Sequence, residues 1–214
     1  MYNKVNEGGS RMGKLFPYIY DFGMKPLEKG RFYHLRKDMI SKVKGRVLEI
    51  GSGSGINFPF YRNVERVDAI EPNPAMRKKA RSKLEKAAVP IFCHEQKAEQ
   101  LLFPNQTFDY VISTLVFCTI PNPEAALKEM IRVSKPNATF YFFEHVKMES
   151  AVLAKTQDFL TPLWKVVCDG CHLNRNTVEI IKDVGLQIKE IKFYYKGLFI
   201  MVECTIQHET VNVR

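Results

Sequence analysis

Three glycines at alternate positions, Gly51-Ser52-Gly53-Ser54-Gly55, follow the apolar run Arg46-Val-Leu-Glu-Ile50 without a gap, and Glu49 stands inside that run. Glycine lets a backbone turn tightly and lets a ligand approach it closely. Sixteen residues beyond Gly55, Glu71 ends a second apolar run, Val67 to Ile70. A carboxylate at the tip of a second strand can accept hydrogen bonds from both hydroxyls of a ribose. Together these residues form a nucleoside-binding layout, far more specific than a glycine triplet alone.

Dinucleotides and S-adenosylmethionine compete for such a layout. In the dinucleotide fingerprint the third small residue would fall at position 56, where Ile56 stands. Glu49 has no evident place in a dinucleotide site, whereas an acid there can reach the ammonium group of the methyl donor directly or through water. An ordinary buried strand acid paired with an amide is the structural alternative, since carboxylates are rarely buried unpaired. The register favours the methyl donor.

These residues need a scaffold, and the chain alternates strand-like and helix-like segments. Strands are expected at Arg46 to Ile50, Val67 to Ile70, Pro90 to Cys93, Phe108 to Thr114 and Thr139 to Glu144. Helices are expected from about Ile56, at Ala75 to Ala87 and at Pro123 to Val133. That alternation predicts an α/β fold, a single Rossmann-like doubly wound sheet, mostly parallel. An arm and amphipathic helix precede it within 1–44, with Tyr18 and Tyr20 as residues that could close over the site. Two helical stretches, Ala151 to Val167 and Asn174 to Asp183, form a substrate-covering segment within 147–186, and an antiparallel hairpin over 187–206 turns at Lys196-Gly197. One domain covers the whole chain, with the cofactor core at 45–146.

Val47-Leu-Glu-Ile-Gly-Ser-Gly-Ser-Gly55, Asp68-Ala-Ile-Glu-Pro-Asn73, Ala98-Glu99-Gln-Leu-Leu-Phe-Pro104, Phe108-Asp-Tyr-Val-Ile112 and Leu127-Lys-Glu-Met-Ile-Arg-Val133 resemble the successive motifs of class I S-adenosylmethionine-dependent methyltransferases. The resemblance implies that Glu49, Gly51, Ser52, Gly53 and Gly55 cradle the donor and that Glu71 holds its ribose. It places Pro72, Asn73 and Met76 beside the ribose, Ala98 at the adenine, and Thr114 and Leu115 under the methionine portion. Lys97 stands where many relatives carry Asp, so Glu99 is the substitute contact. Asn137-Ala138 replaces the usual Gly-Gly after Pro136, and Asn suits a left-handed turn there. A narrower resemblance, carried by Asn57-Phe-Pro-Phe-Tyr61, Leu115-Val-Phe-Cys-Thr-Ile120, Phe143-Glu-His-Val146 and Asp169-Gly-Cys-His-Leu-Asn-Arg175, is to a bacterial group related to the membrane-anchored alkyl-thiol methyltransferases of animals.

The acceptor is less well defined. Methyl transfer from a sulfonium needs alignment and desolvation first, and a base only when the nucleophile arrives protonated. His145, Asp169 and His172 are the base candidates, and structural histidines are the alternative. Phe159, Leu160, Leu163, Trp164, Val166 and Val167 either wall a hydrophobic pocket or pack on the sheet. A small hydrophobic acceptor follows: a thiol, a lipid or a quinone-like molecule.

The net charge of +9 would suit RNA or an anionic membrane surface. Thr114-Leu-Val-Phe117 lacks the Pro-Pro-aromatic turn of base-amine methyltransferases, so nucleic acid is disfavoured. Peripheral membrane contact and a non-catalytic donor-binding role stay open, and the oligomeric state is not read from sequence. The polar amino terminus and the lack of a long apolar run suggest the cytoplasm. Five cysteines imply no disulfide framework. Cys168-Asp-Gly-Cys171-His172 matches a haem-attachment pattern, but export would be required. Zinc would need a second ligand pair, and the only other Cys-His pair is Cys93-His94, in what reads as a core strand. No metal is expected.

Overall fold

A computed structural model describes residues 30–168 and 170–207. Asp169, the residues before 30 and those after 207 lie outside it, and with them the expectations for Tyr18, Tyr20 and Asp169.

Five short apolar segments form parallel strands: β1 (Arg46–Ile50), β2 (Arg66–Ile70), β3 (Ile91–His94), β4 (Phe108–Thr114) and β5 (Ser134–His145). Two more, β6 (Leu186–Tyr194) and β7 (Phe199–Ile206), form the expected hairpin, and β7 pairs antiparallel with both β5 and β6. The sheet order is β3-β2-β1-β4-β5-β7-β6, so the direction of winding reverses between β1 and β4. Ligands of open α/β sheets bind outside the carboxyl ends of the strands at such a reversal.

Both faces of the sheet are covered, which explains the nearly continuous apolar runs of its central strands. Alternation sorts the side chains. Leu48, Ile50, Val111, Phe140 and Phe142 pack with helix α3 (Pro123–Val133) on one face. Val47, Ile112, Tyr141 and Phe143 pack with helix α1 (Arg31–Ser41) and Ala80 of helix α2 (Pro74–Leu84) on the other. In α3, Ala126, Leu127, Met130 and Val133 form the buried stripe, and full burial of its Leu, Met and Val side chains contributes about 1.5–3 kcal/mol each. Pro123 opens that helix, and the Asn122 side chain caps it by accepting from the Ala125 N–H at 3.0 Å.

The structure corrects several expectations. No α-helix follows the glycine turn. Residues 53–57 form turns and Phe58–Phe60 a single 3₁₀ turn, because Pro59 brings no donor and Asn57 and Tyr61 point inward. Asn137 makes no left-handed turn, since β5 runs through it from Ser134. Cys93 is exposed on the edge strand β3 rather than held in the core.

Helix α4 (Ala151–Val167) buries Gln157 and Thr161 and turns its apolar side outward. Phe159 is 83% exposed and Leu163 68%, so these residues do not pack on the sheet. Gln157 fastens the helix by donating to the carbonyls of Val146 and Leu173 and accepting from the Met148 N–H. The last helix, α5 (Thr177–Asp183), packs Ile181 into the core. No helix among the described residues is long and apolar enough to cross a membrane.

Candidate active site

The glycine turn closes at the carboxyl end of β1. Gly51 has φ +60°, and a Cβ there would sit 2.1 Å from the Val116 side chain, so only glycine fits. Gly53, at φ +56°, is different, because a Cβ there would meet nothing nearer than the Gly51 carbonyl at 3.9 Å. The protein itself leaves the space beside Gly53 open, as a cradle for a closely approaching ligand requires.

Glu71 faces this turn from the end of β2. One carboxylate oxygen accepts from the Gly53 N–H at 2.9 Å and the other from the Asn73 N–H at 2.8 Å. The Asn73 side chain in turn accepts from Ala75 and Met76 and starts α2, which buries Met76. Ser52 and Ala98 are buried nearby in the fold, while Glu99 accepts from the Asn122 N–H at 3.4 Å. The predicted donor residues of β1, β2 and the glycine turn are thus gathered on one edge of the sheet.

Glu49 is 1% exposed and paired with an amide. It accepts from Asn57 Nδ2 at 2.9 Å and from the Tyr61 hydroxyl at 3.0 Å. Asn57 also donates to Thr114 Oγ1 at 3.0 Å and accepts from the buried guanidinium of Arg36 at 3.1 Å. Burial raises the Glu49 carboxyl from 4.5 to about 7, against the hydrogen bonds of Asn57 and Tyr61 and the nearby Arg36 charge. A cation brought to this carboxylate would offset the cost of its burial. Arg36, Asn57 and Tyr61 are site residues beyond those the sequence motifs imply. Arg36 had a signal, because Phe32, Arg36, Met39 and Ile40 form one helical stripe and a charge on an apolar stripe asks for a partner.

Thr114 leads from β4 into Leu115, which holds φ +56°, a conformation that disfavours a branched side chain by roughly 1–2 kcal/mol. The Leu115 N–H is anchored on the Phe143 carbonyl at 2.7 Å. Glu144 fixes the same loop from β5, accepting from Ser113 Oγ and from the N–H groups of Val116 and Phe117. Burial pushes the Glu144 carboxyl up to about 7 despite those bonds. Arg175 clamps the far side of the loop by donating to the carbonyls of Phe117 and Ile120, each at 2.6 Å.

This clamped loop brings Cys118 beside Cys171, and His145 lies at the end of β5 with Nε2 3.2 Å from Cys171 Sγ. The Cys171 thiol is held well below its ordinary range, first by the hydrogen bond from Cys118, with burial opposing and His145 adding to the effect. Cys118, the donor of that bond, is pushed up. The His172 backbone N–H caps the Cys118 carbonyl, and burial, with the Arg175 and Lys165 charges, lowers its imidazole. Along the chain Cys168-x-x-Cys171 had no second ligand pair, yet folding brings Cys118 and His145 to Cys171. A surface hollow of about 590 Å³ beside Asp109, Lys135 and Asn137 lies at the opposite, amino-terminal edge of β4 and β5, away from all these groups.

A family model described as a methyltransferase domain matches residues 48–142, which hold the glycine turn, Glu71 and the Leu115 loop. Human thiol S-methyltransferase TMT1A is 33% identical over 175 residues, covering 77% of this chain and 72% of that protein. The chain belongs to the class I S-adenosylmethionine-dependent methyltransferases. Phosphatidylethanolamine N-methyltransferase of Cereibacter sphaeroides is 28% identical over 148 residues, covering 68% of this chain and 72% of that one. The fold of an S-adenosylmethionine-dependent methyltransferase from Thermotoga maritima matches with a TM-score of 0.66 at 18% identity, over 92% of this chain and 99% of that one. This methyltransferase therefore takes S-adenosylmethionine as cofactor, and the open space at Gly53 opposite the Glu71 carboxylate fits it.

Proposed function

We propose that this methyltransferase transfers a methyl group to the sulfur of a small hydrophobic thiol. When bound, the donor supplies an electrophilic methyl carbon on a sulfonium sulfur. Glu49 holds its ammonium end, Gly51, Ser52, Gly53 and Gly55 cradle it, and Glu71, with Pro72, Asn73 and Met76, holds the ribose. Ala98 and Glu99 flank the adenine, and Thr114 and Leu115 underlie the methionine portion. Two buried carboxylates and the backbone turn do this work by position and charge, which is where most of the barrier reduction for such a displacement arises.

A thiol arrives protonated and must lose its proton before its sulfur is a strong nucleophile. Cys118, His145 and Cys171, with His172 behind them, form the polar cluster beside the loop that leaves β4, and we assign acceptor activation to it. The exposed apolar side of α4 supports a hydrophobic acceptor, and that helix carries Trp164, which hydrogen-bonds Cys171. The observation that carries the reading is the 33% identity to a thiol S-methyltransferase across 77% of the chain.

The test is isotope-labelled methyl transfer to matched acceptors: an alkanethiol, the alcohol and amine of the same chain length, phosphatidylethanolamine vesicles and RNA. Label in the thioether, with the alcohol inert, is expected. Label confined to the phospholipid amine or the RNA would overturn the assignment.

A further inference from the structure

Cys118, His145 and Cys171 come from three separate parts of the chain, yet one ligating atom of each lies within 4.8 Å of the other two. Thiolate sulfur and imidazole nitrogen are the donors zinc prefers. A tetrahedral ion about 2.3 Å from sulfur and about 2.0–2.1 Å from nitrogen spaces neighbouring donors roughly 3.5–3.8 Å apart. The 3.2 Å contact between His145 and Cys171 is shorter than that spacing and the 4.8 Å limit longer, so an ion needs only small side-chain adjustments.

The cluster is also held in place. Glu144 fixes Val116 and Phe117 just before Cys118, Arg175 clamps Phe117 and Ile120 around it, and the His172 N–H caps its carbonyl. Supports of this kind orient metal ligands. His145 turns Nε2 toward Cys171, and its other ring nitrogen, Nδ1, is buried with no hydrogen-bond partner among the described residues. Cys168 packs against Cys118 and Cys171 but is not among the three gathered ligands. Three protein ligands with one open position is the arrangement of zinc sites that do chemistry, whereas four ligands close a structural site.

We propose that Cys118, Cys171 and His145 bind one zinc ion, and that its fourth position takes the sulfur of the acceptor thiol. The second half rests on the thiol reading above. A lone pair of the thiol sulfur bonds to zinc as the bound water departs, and the thiol proton passes to that water. Zinc stays divalent and no oxidant or reductant takes part. A coordinated thiol is deprotonated outright, so the acceptor becomes a nucleophile at neutral pH without a general base. His145 then serves as a ligand.

The experiment measures metal in the full chain, purified reduced and without chelator. About one zinc per chain is expected, falling below about a tenth in the double variant Cys118→Ser, Cys171→Ser and remaining in Cys93→Ser, as three-ligand coordination requires. Binding of S-adenosylhomocysteine reports that each variant is folded. Should the double variant fail to fold, wild-type protein stripped by chelator and reloaded with cobalt(II) replaces it, and uptake of about one ion per chain is expected. In the cobalt form, 2-mercaptoethanol should shift the visible spectrum, whereas ethylene glycol should not.

Reduced wild-type protein that takes up neither metal, or a folded double variant that keeps its zinc, would overturn the site. Loss of zinc in Cys168→Ser with a cobalt spectrum blind to thiols would overturn the open position. Full thiol methylation by metal-free protein would sink the binding of the acceptor sulfur to zinc and leave the thiol reading standing. A thiol-responsive cobalt site in a protein that methylates no thiol would do the reverse.

Discussion

Replacing Glu49 by Gln should make the donor-free protein more stable at alkaline pH while weakening donor binding. The Glu49 carboxyl rises from 4.5 to about 7 on folding, mainly through burial. A carboxyl raised in the folded state favours folding at low pH, and that contribution is lost as pH rises through about 7. Linkage makes the cost about 1 kcal/mol near pH 5.5 and about 3 kcal/mol near pH 8. Gln removes the charge but weakens the pairing with Asn57 and Tyr61, a loss of about 1 kcal/mol. The variant should therefore match wild type near pH 5.5 and exceed it by about 2 kcal/mol near pH 8. Urea unfolding of both proteins at the two pH values reads this difference, and subtraction cancels the titration of every other group. Calorimetry with S-adenosylhomocysteine should show affinity down by about tenfold or more, since a charge-assisted contact contributes about 1.5–3 kcal/mol. Equal stability differences at both pH values, or unchanged affinity, would refute the reasoning.

Gly51→Ala and Gly53→Ala should separate packing from binding. The first places a methyl group 2.1 Å from Val116 and should lower Tm by several degrees, a cost of about 2 kcal/mol or more in thermal scans. The second meets no side chain and should cost about 1 kcal/mol, from its positive φ, yet lose more donor affinity in calorimetry. Glu144→Gln keeps one acceptor where the β4 loop needs three bonds accepted, and should cost about 1–3 kcal/mol in urea unfolding and slow turnover more than it weakens donor binding. Arg36→Met should free Asn57 and lower donor affinity indirectly, with Arg36→Lys giving partial rescue in the same titration.

The scaffold was legible wherever apolar runs met glycine or proline. β1 and α3 fall on the residues expected, because Gly51 ends the one and Pro123 opens the other, and β4 and α4 also fall where expected. The strand-helix alternation predicts a helix after Gly55, but Pro59 and the inward turn of Asn57 and Tyr61 leave only a 3₁₀ turn there. Periodicity showed that α4 has an apolar side but not that this side faces outward, because Gln157 anchors the helix through three backbone groups instead. Glu49, Glu71 and the glycines were readable from local spacing. The cluster of Cys118, His145 and Cys171 was not, since His145 ends β5 while Cys118 and Cys171 lie in two separate loops that only the folded chain brings together.

The most direct test of the donor site is calorimetric titration of S-adenosylhomocysteine into wild-type protein and Glu71→Ala, with near-ultraviolet circular dichroism confirming the variant's fold. Loss of two hydrogen bonds from ribose hydroxyls to a carboxylate, at about 1.5–3 kcal/mol each, predicts that affinity falls by a hundredfold or more. A folded variant that binds as tightly as wild type would contradict the assignment of the ribose to Glu71 and, with it, the cradle built on Gly51 to Gly55.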